Sequence, residues 1–201
     1  MTFQILFVCT GNVCRSPAAE RLLRRELDQA SGGIAGLGGI EVASAGTGAL
    51  VGEPISPRMA ALVARAGADP DGFTSRQLTS VILRPAELVI AMTSEHRRDA
   101  VTLHPAAVQR TFVLGELAHM LESVDVREVR AIVGGSASTP ERLRATIALA
   151  KRYRTPGVDP GEDIVDPYGR SESVYGTSFA QIQAGLEPLV RVLTAGPRST
   201  E

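Results

Sequence analysis

Two kinds of apolar pattern alternate along this chain. Short, nearly continuous apolar runs predict β-strands at residues 3–8, 40–45, 88–92 and 110–114. Apolar residues at helical spacing, together with start and stop signals, predict helices at residues 16–31, 57–66, from 94 onward, 115–121 and 173–193. Because strands alternate with helices, we expect an α/β fold with a parallel sheet and right-handed crossovers.

One stretch does not fit this alternation. Residues 123–163 contain helical spacing over 140–154, between glycine-rich joints at 134–136 and 157–161. We interpret the stretch as a helical insertion in a single domain that spans residues 1–201. The many arginines favour a solvated surface helix, and a partner-binding or lid element is the alternative. The glycine-rich residues 32–39 predict a flexible loop.

Composition narrows the function classes. The 201 residues have a formal net charge of −1, 4% aromatic residues and no Trp, which disfavours nucleic acid as a partner. No apolar run approaches the roughly 20 residues of a membrane span, so we expect no membrane partner and a cytoplasmic location. The two cysteines, Cys9 and Cys14, predict neither a disulfide framework nor a metal site. We expect no cofactor, and a monomer or weak dimer.

The candidate chemistry lies between the first strand and the first helix. A loop there can direct backbone N–H groups into one concavity, and the following helix N-terminus adds positive potential that favours a thiolate at Cys9. Arg15 can hold two oxygens of a tetrahedral oxyanion, Ser16 can cap the helix or donate to the sulfur, and Gly11 permits a conformation that a Cβ would hinder. The expected phosphate-binding residues are Thr10, Gly11, Asn12, Val13, Cys14, Arg15 and Ser16.

The run Cys9-Thr10-Gly11-Asn12-Val13-Cys14-Arg15-Ser16-Pro17 resembles the signature loop of low-molecular-weight protein tyrosine phosphatases. Four further segments also resemble that family: Ser44-Ala45-Gly46-Thr47, Ser75-Arg76-Gln77-Leu78, Val89-Ile90-Ala91-Met92 and Asp166-Pro167-Tyr168-Gly169. The resemblance implies a three-layer sandwich with a four-stranded parallel sheet in the order 2-1-3-4. Thioredoxin-type arsenate reductases share this fold.

The resemblance also implies a mechanism. Cys9 would attack phosphorus to form a cysteinyl-phosphate, Arg15 would clamp the phosphate, and Asp166 would act as general acid and then as general base. Asn12, Ser16 and Ser44 would hold the loop in shape. Asp159, also followed by proline, is a competing candidate for the acid, and the alternative for both residues is an ordinary Asp-Pro turn without a catalytic role.

Substrate and redox roles rest on individual positions. The family usually has an aromatic residue that lines the substrate cleft near residues 48–51, and this chain has Leu50 there. We therefore expect Leu50 and Tyr168 at the rim of the site. After the third strand, where the family has Met-Asp, this chain has Met92-Thr93. Family members that resemble phosphoarginine phosphatases carry Thr at the position of Val13, so Val13 favours a phosphotyrosine-containing protein as substrate. Cys14 is either a redox partner that protects Cys9 or a small apolar filler.

Three other functions remain open from sequence. An arsenate reductase that uses a small external thiol fits the loop, although the segment starting at Asp166 favours ester hydrolysis. A phosphoarginine phosphatase is a second enzymatic alternative. A non-catalytic phosphate-binding module is the alternative of a different class, and the presence of Cys9, Arg15 and a candidate acid together argues against it.

Overall fold

A four-stranded parallel sheet forms the centre of the molecule. The computed structural model describes residues 2–31, 39–154 and 163–194. The strands are β1 (Phe3–Cys9), β2 (Ile40–Gly46), β3 (Leu88–Ala91) and β4 (Thr111–Val113). They are parallel and lie in the order β2-β1-β3-β4, which confirms the expected α/β fold and strand order.

Helices cover both faces of the sheet. The α-helices are α1 (Arg15–Ala30), α2 (Pro57–Arg65), α3 (Ser80–Leu83), α4 (Ser94–Leu103), α5 (Leu114–Glu122), α6 (Val126–Val133), α7 (Thr139–Ala150) and α8 (Glu172–Thr194). Short 3-10 helices occupy Pro105–Arg110 and Lys151–Tyr153. The sequence did not predict α3, α6 or the first 3-10 helix, which are too short to carry a strong periodic signal.

The alternation of side chains along β1 divides the core into two parts. Ile5 and Phe7 point into the larger apolar cluster, which also contains residues of α1, α5 and α8. Leu6 and Val8 point into a smaller cluster, which contains Ala100 of α4. Because β1 is buried on both faces, its sequence is apolar at nearly every position.

The region predicted as an insertion contains α6 and α7. The interpretation of the second helix as a solvated surface helix is wrong, because Leu143 and Ile147 of α7 are buried in the main core. Arg144 makes two 2.6 Å hydrogen bonds to the carboxylate of Glu87 and lies over the ring of Phe3. Arg144, one of the arginines that suggested solvation, thus places its guanidinium over a core residue.

Two local details differ from the sequence predictions, and two predicted loops cannot be compared. Ser16 does not cap α1, because the helix begins at Arg15 with Cys14 at the capping position and no side-chain cap bond. The fourth strand is shorter than predicted, because Leu114 already starts α5. The predicted loop at 32–39 (apart from Gly39) and the predicted joint at 157–161 lie outside the described residues.

None of the described helices is both long and apolar enough to cross a membrane.

Close packing of α5 against α8 should depend on Gly185. A Cβ at Gly185 would lie 2.6 Å from Leu114 Cγ, whereas a Cβ at Gly176 of the same helix meets nothing within 4 Å. We expect Gly185→Ala to lower the free energy of unfolding by about 1–3 kcal/mol through overpacking. Gly176→Ala, the matched control, should raise it by about 0.5–1 kcal/mol through helix propensity. Chemical denaturation measures both, and equal stabilisation of the two variants would contradict this account of the contact.

Candidate active site

The candidate site lies where the strands of the sheet end. Cys9 is the last residue of β1, Gly46 is the last residue of β2, and β3 ends at Ala91. In parallel sheets these carboxyl ends share one edge, where the connecting loops can form a binding crevice. The loop from Cys9 to Arg15 occupies the centre of that edge because β1 is an inner strand.

Most carbonyl groups of this loop accept hydrogen bonds from other described residues, whereas the N–H groups of residues 10–14 donate none. The carbonyls of Cys9, Thr10, Gly11 and Val13 accept hydrogen bonds from the N–H groups of Thr47, Gly48, Leu50 and Ser56, at 2.9, 3.1, 3.0 and 2.8 Å respectively. In the part of the chain that the structure describes, the N–H groups of residues 10–14 donate to no protein atom. A loop whose carbonyls point away and whose N–H groups remain available is a site for an anion.

The turn of the loop is made at Asn12 rather than at Gly11. Asn12 has a φ of 54°, and it is the only non-glycine residue with a positive φ among the described residues. A Cβ at Gly11 would meet Val13 Cγ2 at 3.5 Å, an ordinary contact. The sequence-based reason for Gly11 is therefore wrong, since the strained conformation belongs to its neighbour, and asparagine tolerates it better than most residues.

A buried hydrogen-bond network supports Asn12. Its Nδ2 donates to Ser16 Oγ and to Ser44 Oγ, each at 2.9 Å. Its Oδ1 accepts from the N–H of Arg76 at 2.9 Å, and Ser44 Oγ donates to Glu20 Oε2 at 2.7 Å. The structure thus brings together the three residues that the sequence predicts as loop support, and it adds Glu20 and Arg76. The sequence predicted no role in the loop for these two residues, although both lie in segments that resemble the family.

The Cys9 sulfur lies at the base of the loop, where it is 2% exposed. It is 2.9 Å from Ser16 Oγ. Because that oxygen already accepts from Asn12, its own proton is available to the sulfur. Ser16 Oγ can therefore donate a hydrogen bond to the Cys9 sulfur.

Arg15 lies against the segment that contains Asp166. The guanidinium donates to the carbonyl of Ile164 at 3.1 Å, and its second nitrogen lies 2.9 Å from Asp166 Oδ2. The side chain of Arg15 is 5% exposed and that of Asp166 is 52% exposed. The predicted clamp and the predicted acid are thus in direct contact across the chain. Asp159, the competing acid, lies outside the described residues.

The segment before Asp166 is attached to the end of β3 and to the start of α4. The N–H of Ile164 donates to the carbonyl of Met92 at 2.9 Å. Asp163 Oδ1 accepts from the N–H and the hydroxyl of Ser94, at 2.7 and 3.1 Å. Sequence reasoning missed Asp163, although a carboxylate at a helix N-terminus is a favourable arrangement.

The predicted rim residues are exposed. Leu50 is 40% exposed and Tyr168 is 58% exposed. Leu50 follows the loop closely, because its N–H binds the Gly11 carbonyl. Tyr168 contacts the segment that contains the predicted acid (residues 163–166, here called the acid segment), since its N–H donates to Asp166 Oδ1 at 3.1 Å. Val13 differs from both, because it is 4% exposed and belongs to the main core.

Cys14 lies in a polar niche below the loop. Its sulfur is 3.1 Å from Ser56 Oγ and 3.8 Å from the hydroxyl of Tyr175. Burial raises the pKa of the Cys14 thiol, against a smaller lowering effect of these two hydroxyls. Cys14 therefore remains a protonated thiol near neutral pH.

His96 is the main polar side chain near the loop that sequence reasoning missed. Its Nε2 is 2.8 Å from Thr10 Oγ1, although the two residues are 86 positions apart. The one signal in the sequence was the unusual Thr93, which caps α4 by accepting from the N–H of His96 at 3.2 Å. Among the described residues, no group of three or more His, Cys, Asp or Glu side chains could hold a metal ion.

Comparison with protein families gives one clear match. The family model described as low molecular weight phosphotyrosine protein phosphatase matches residues 4–148. That match contains Cys9 and Arg15, and it ends before Asp166.

Individual relatives agree with that family. The chain is 37% identical to a probable low molecular weight protein-tyrosine-phosphatase EpsP of Ralstonia nicotianae over 113 residues, 56% of this chain and 71% of that protein. It is 36% identical to the low molecular weight protein-tyrosine-phosphatase Etp of Escherichia coli over 121 residues, 60% of this chain and 75% of that protein. Among solved structures, the YwlE arginine phosphatase from Geobacillus stearothermophilus has a TM-score of 0.63 at 28% identity, covering 94% of this chain and 91% of that one.

The close approach of β2 to the loop should be necessary for anion binding. A Cβ at Gly46 would lie 2.2 Å from the Thr10 carbonyl oxygen, whereas a Cβ at Gly48 would lie 3.8 Å from Thr10 Cγ2. We expect Gly46→Ala to displace the loop and to weaken binding of inorganic phosphate about ten-fold or more, the equivalent of about 1.4 kcal/mol. Gly48→Ala is the matched control and should bind as the unaltered protein does. Calorimetric titration measures both, and normal binding by Gly46→Ala would show that the contact is not needed.

Proposed function

Because the chain belongs to the low molecular weight phosphotyrosine protein phosphatase family, whose members are hydrolases, we propose that it hydrolyses phosphotyrosine in proteins. The observation that carries this proposal is the Cys9–Arg15 loop, with paired carbonyls, unpaired N–H groups and a carboxylate in contact with Arg15. Such a loop suits a phosphoryl group, which carries its charge on several oxygens.

In the first step, the Cys9 thiolate attacks phosphorus in line with the leaving tyrosyl oxygen. The S–P bond forms as the P–O bond breaks, and Asp166 gives its proton to the leaving oxygen. Ser16 supports the thiolate form of Cys9 before attack, as their 2.9 Å contact suggests.

In the second step, water attacks the cysteinyl-phosphate. Asp166, now ionised, takes a proton from that water, the S–P bond breaks, and inorganic phosphate and the Cys9 thiolate are released. The acid and the base of the two steps are the same residue.

Arg15 and the backbone N–H groups of residues 10–14 stabilise the charge on the transferred phosphoryl group. The planar guanidinium can bind two oxygens at once. One guanidinium nitrogen now lies 2.9 Å from Asp166 Oδ2, and because the Asp166 side chain is 52% exposed, water can solvate that carboxylate when a phosphoryl group replaces it at the nitrogen. The contacts of Ile164 with Met92 and of Asp163 with Ser94 would keep the segment that contains Asp166 beside the substrate.

The rim supports an aromatic ester as substrate. Leu50 and Tyr168 are exposed apolar side chains beside the loop, and a phenyl ring could bury part of both. Glu20, Ser44 and Asn12 hold the loop without contacting the substrate.

Phosphoarginine is the second candidate substrate. The similarity to an arginine phosphatase of known structure favours it. Val13 disfavours it, because a buried valine offers no hydrogen bond to a guanidinium. The atom that leaves phosphorus is an oxygen in phosphotyrosine and a nitrogen in phosphoarginine. Hydrolysis of either substrate would use Cys9 and Arg15.

We also propose a domain organisation, a location and an oligomeric state for this enzyme. The enzyme is a single phosphatase domain with an insertion at about 123–163, acts without a metal or a nucleic-acid partner, and works in the cytoplasm as a monomer or weak dimer. The formal net charge of −1 supports the absence of a nucleic-acid partner. Sedimentation that finds a stable larger assembly at micromolar concentration would contradict the oligomeric part of the proposal.

The decisive experiment is a kinetic comparison of phosphotyrosine, phosphoserine and phosphoarginine peptides. We expect the highest kcat/KM on phosphotyrosine, no turnover by Cys9→Ser, and a fall in kcat of about 10²–10⁴-fold in Asp166→Asn. Asp163→Asn is the matched control for the loss of a nearby carboxylate and should retain more activity than Asp166→Asn. A higher kcat/KM on phosphoarginine would replace the proposed substrate, and turnover by Cys9→Ser would remove the mechanism.

We also propose that Cys14 protects Cys9 from irreversible oxidation. Peroxide converts the Cys9 thiolate to a sulfenic acid, and the Cys14 thiol displaces hydroxide from that sulfur to form a disulfide, with release of water. After peroxide treatment, the unaltered enzyme should regain activity with a thiol reductant, whereas Cys14→Ser should not. Equal recovery of both proteins would mean that Cys14 only fills space.

A further inference from the structure

His96 connects the loop from Cys9 to Arg15, here called the phosphate loop, to the first turn of α4. Its Nε2 lies 2.8 Å from Thr10 Oγ1, and its Nδ1 lies 2.8 Å from Thr93 Oγ1. The residue is 4% exposed, so neither ring nitrogen depends on water for a partner. Thr10 is the residue after the nucleophile, and it is exposed at the mouth of the loop.

Counting donors and acceptors assigns the proton of the ring. Thr93 Oγ1 already accepts from the N–H of His96, and among the described residues Nδ1 is the one acceptor within reach of its hydroxyl proton. The arrangement that gives this proton a protein partner has Thr93 donating to Nδ1, with the ring proton on Nε2 donated to Thr10 Oγ1. The hydroxyl proton of Thr10 is left free to point into the loop.

The surrounding charges agree with a neutral ring. Burial and the nearby Arg15 guanidinium lower the pKa of His96 from 6.5 to about 4, and three carboxylates, Asp99, Asp166 and Asp163, oppose this more weakly. The ring can thus accept a hydrogen bond at Nδ1 and donate one at Nε2 at neutral pH. Protonation below about pH 4 would remove the acceptor.

The same turn of α4 also holds the acid segment. Ser94 donates to Asp163 Oδ1 through its N–H and its hydroxyl, three residues before Asp166. The first turn of α4 therefore contacts both the loop that contains Cys9 and the segment that contains Asp166. A helix end is a rigid base for such contacts.

We propose that His96 is a positioning residue for the phosphate loop. In its Nε2–H form it orients Thr10, so that the Thr10 hydroxyl donates to an oxygen of the bound phosphoryl group. This inference rests on the proposed function only in assuming that the loop binds a phosphoryl group. It adds a donor beyond the backbone and Arg15, supplied by a residue on a distant part of the chain.

Phosphate binding in four proteins tests the proposal without turnover. We expect His96→Ala and Thr10→Val each to weaken binding of inorganic phosphate about ten-fold, the worth of one hydrogen bond to a charged group. The double variant should bind about as weakly as either single variant, because both changes remove the same donor. His119→Gln, a change of an exposed histidine, should bind as the unaltered protein does.

Two results would overturn the proposal. One is additive loss in the double variant, which would show that His96 and Thr10 act independently. The other is normal phosphate binding by His96→Ala with a lowered melting temperature, the result of a purely structural histidine. In kinetics on a phosphotyrosine peptide, the proposal also expects a raised KM with kcat nearly unchanged, and Thr10→Ser should restore KM where Thr10→Val does not.

Nitrogen NMR of the His96 ring in the unaltered protein tests the assignment even where a variant fails to fold. We expect an Nε2–H neutral ring at pH 7 that protonates near pH 4. An Nδ1–H ring, or a charged ring at pH 7, would overturn the proposal. The proposed function can fail while this inference holds. That would be the result if phosphate binding depends on His96 and Thr10 together but the protein hydrolyses no phosphoester.

Discussion

One constraint governs the site: the loop after β1 must keep its N–H groups unpaired in a largely buried place. Unpaired buried N–H groups are costly, so the rest of the loop must be well satisfied. The segment after β2 pairs four loop carbonyls, and Asn12 makes the turn in a left-handed conformation. The close contact between Gly46 and the Thr10 carbonyl shows how tightly the two segments are pressed together.

Three parts of the fold hold this loop from different sides. Glu20 and Ser44 connect α1 and β2 to Asn12, and each member of that chain has a hydrogen-bond partner. A fully satisfied buried network of this kind makes one geometry much more favourable than its neighbours. The first turn of α4 supports the loop through His96 and the acid segment through Ser94. The loop that contains Cys9 and the segment that contains Asp166 are therefore both held by the first turn of α4.

Sequence reasoning succeeded where a local pattern reports the environment. Buried strands are apolar at nearly every position, so the sheet and its alternating helices were predictable, and the family resemblance added the strand order. It failed where a side chain had a better partner than the local one. Ser16 contacts the sulfur and Asn12 instead of capping α1, and Arg144 contacts Glu87 and Phe3 while it remains partly exposed.

The sequence by itself determined the chemical inventory: a cysteine and an arginine in one short loop, directly between a strand and a helix. Those features are local, so spacing and residue type are enough to recognise them. Only the tertiary structure decided that Arg15 meets Asp166, that His96 meets Thr10 across 86 positions, and that Val13 faces the core. Such contacts depend on how the helices pack against the sheet. That packing is determined by the whole core at once, and no short stretch of sequence encodes it.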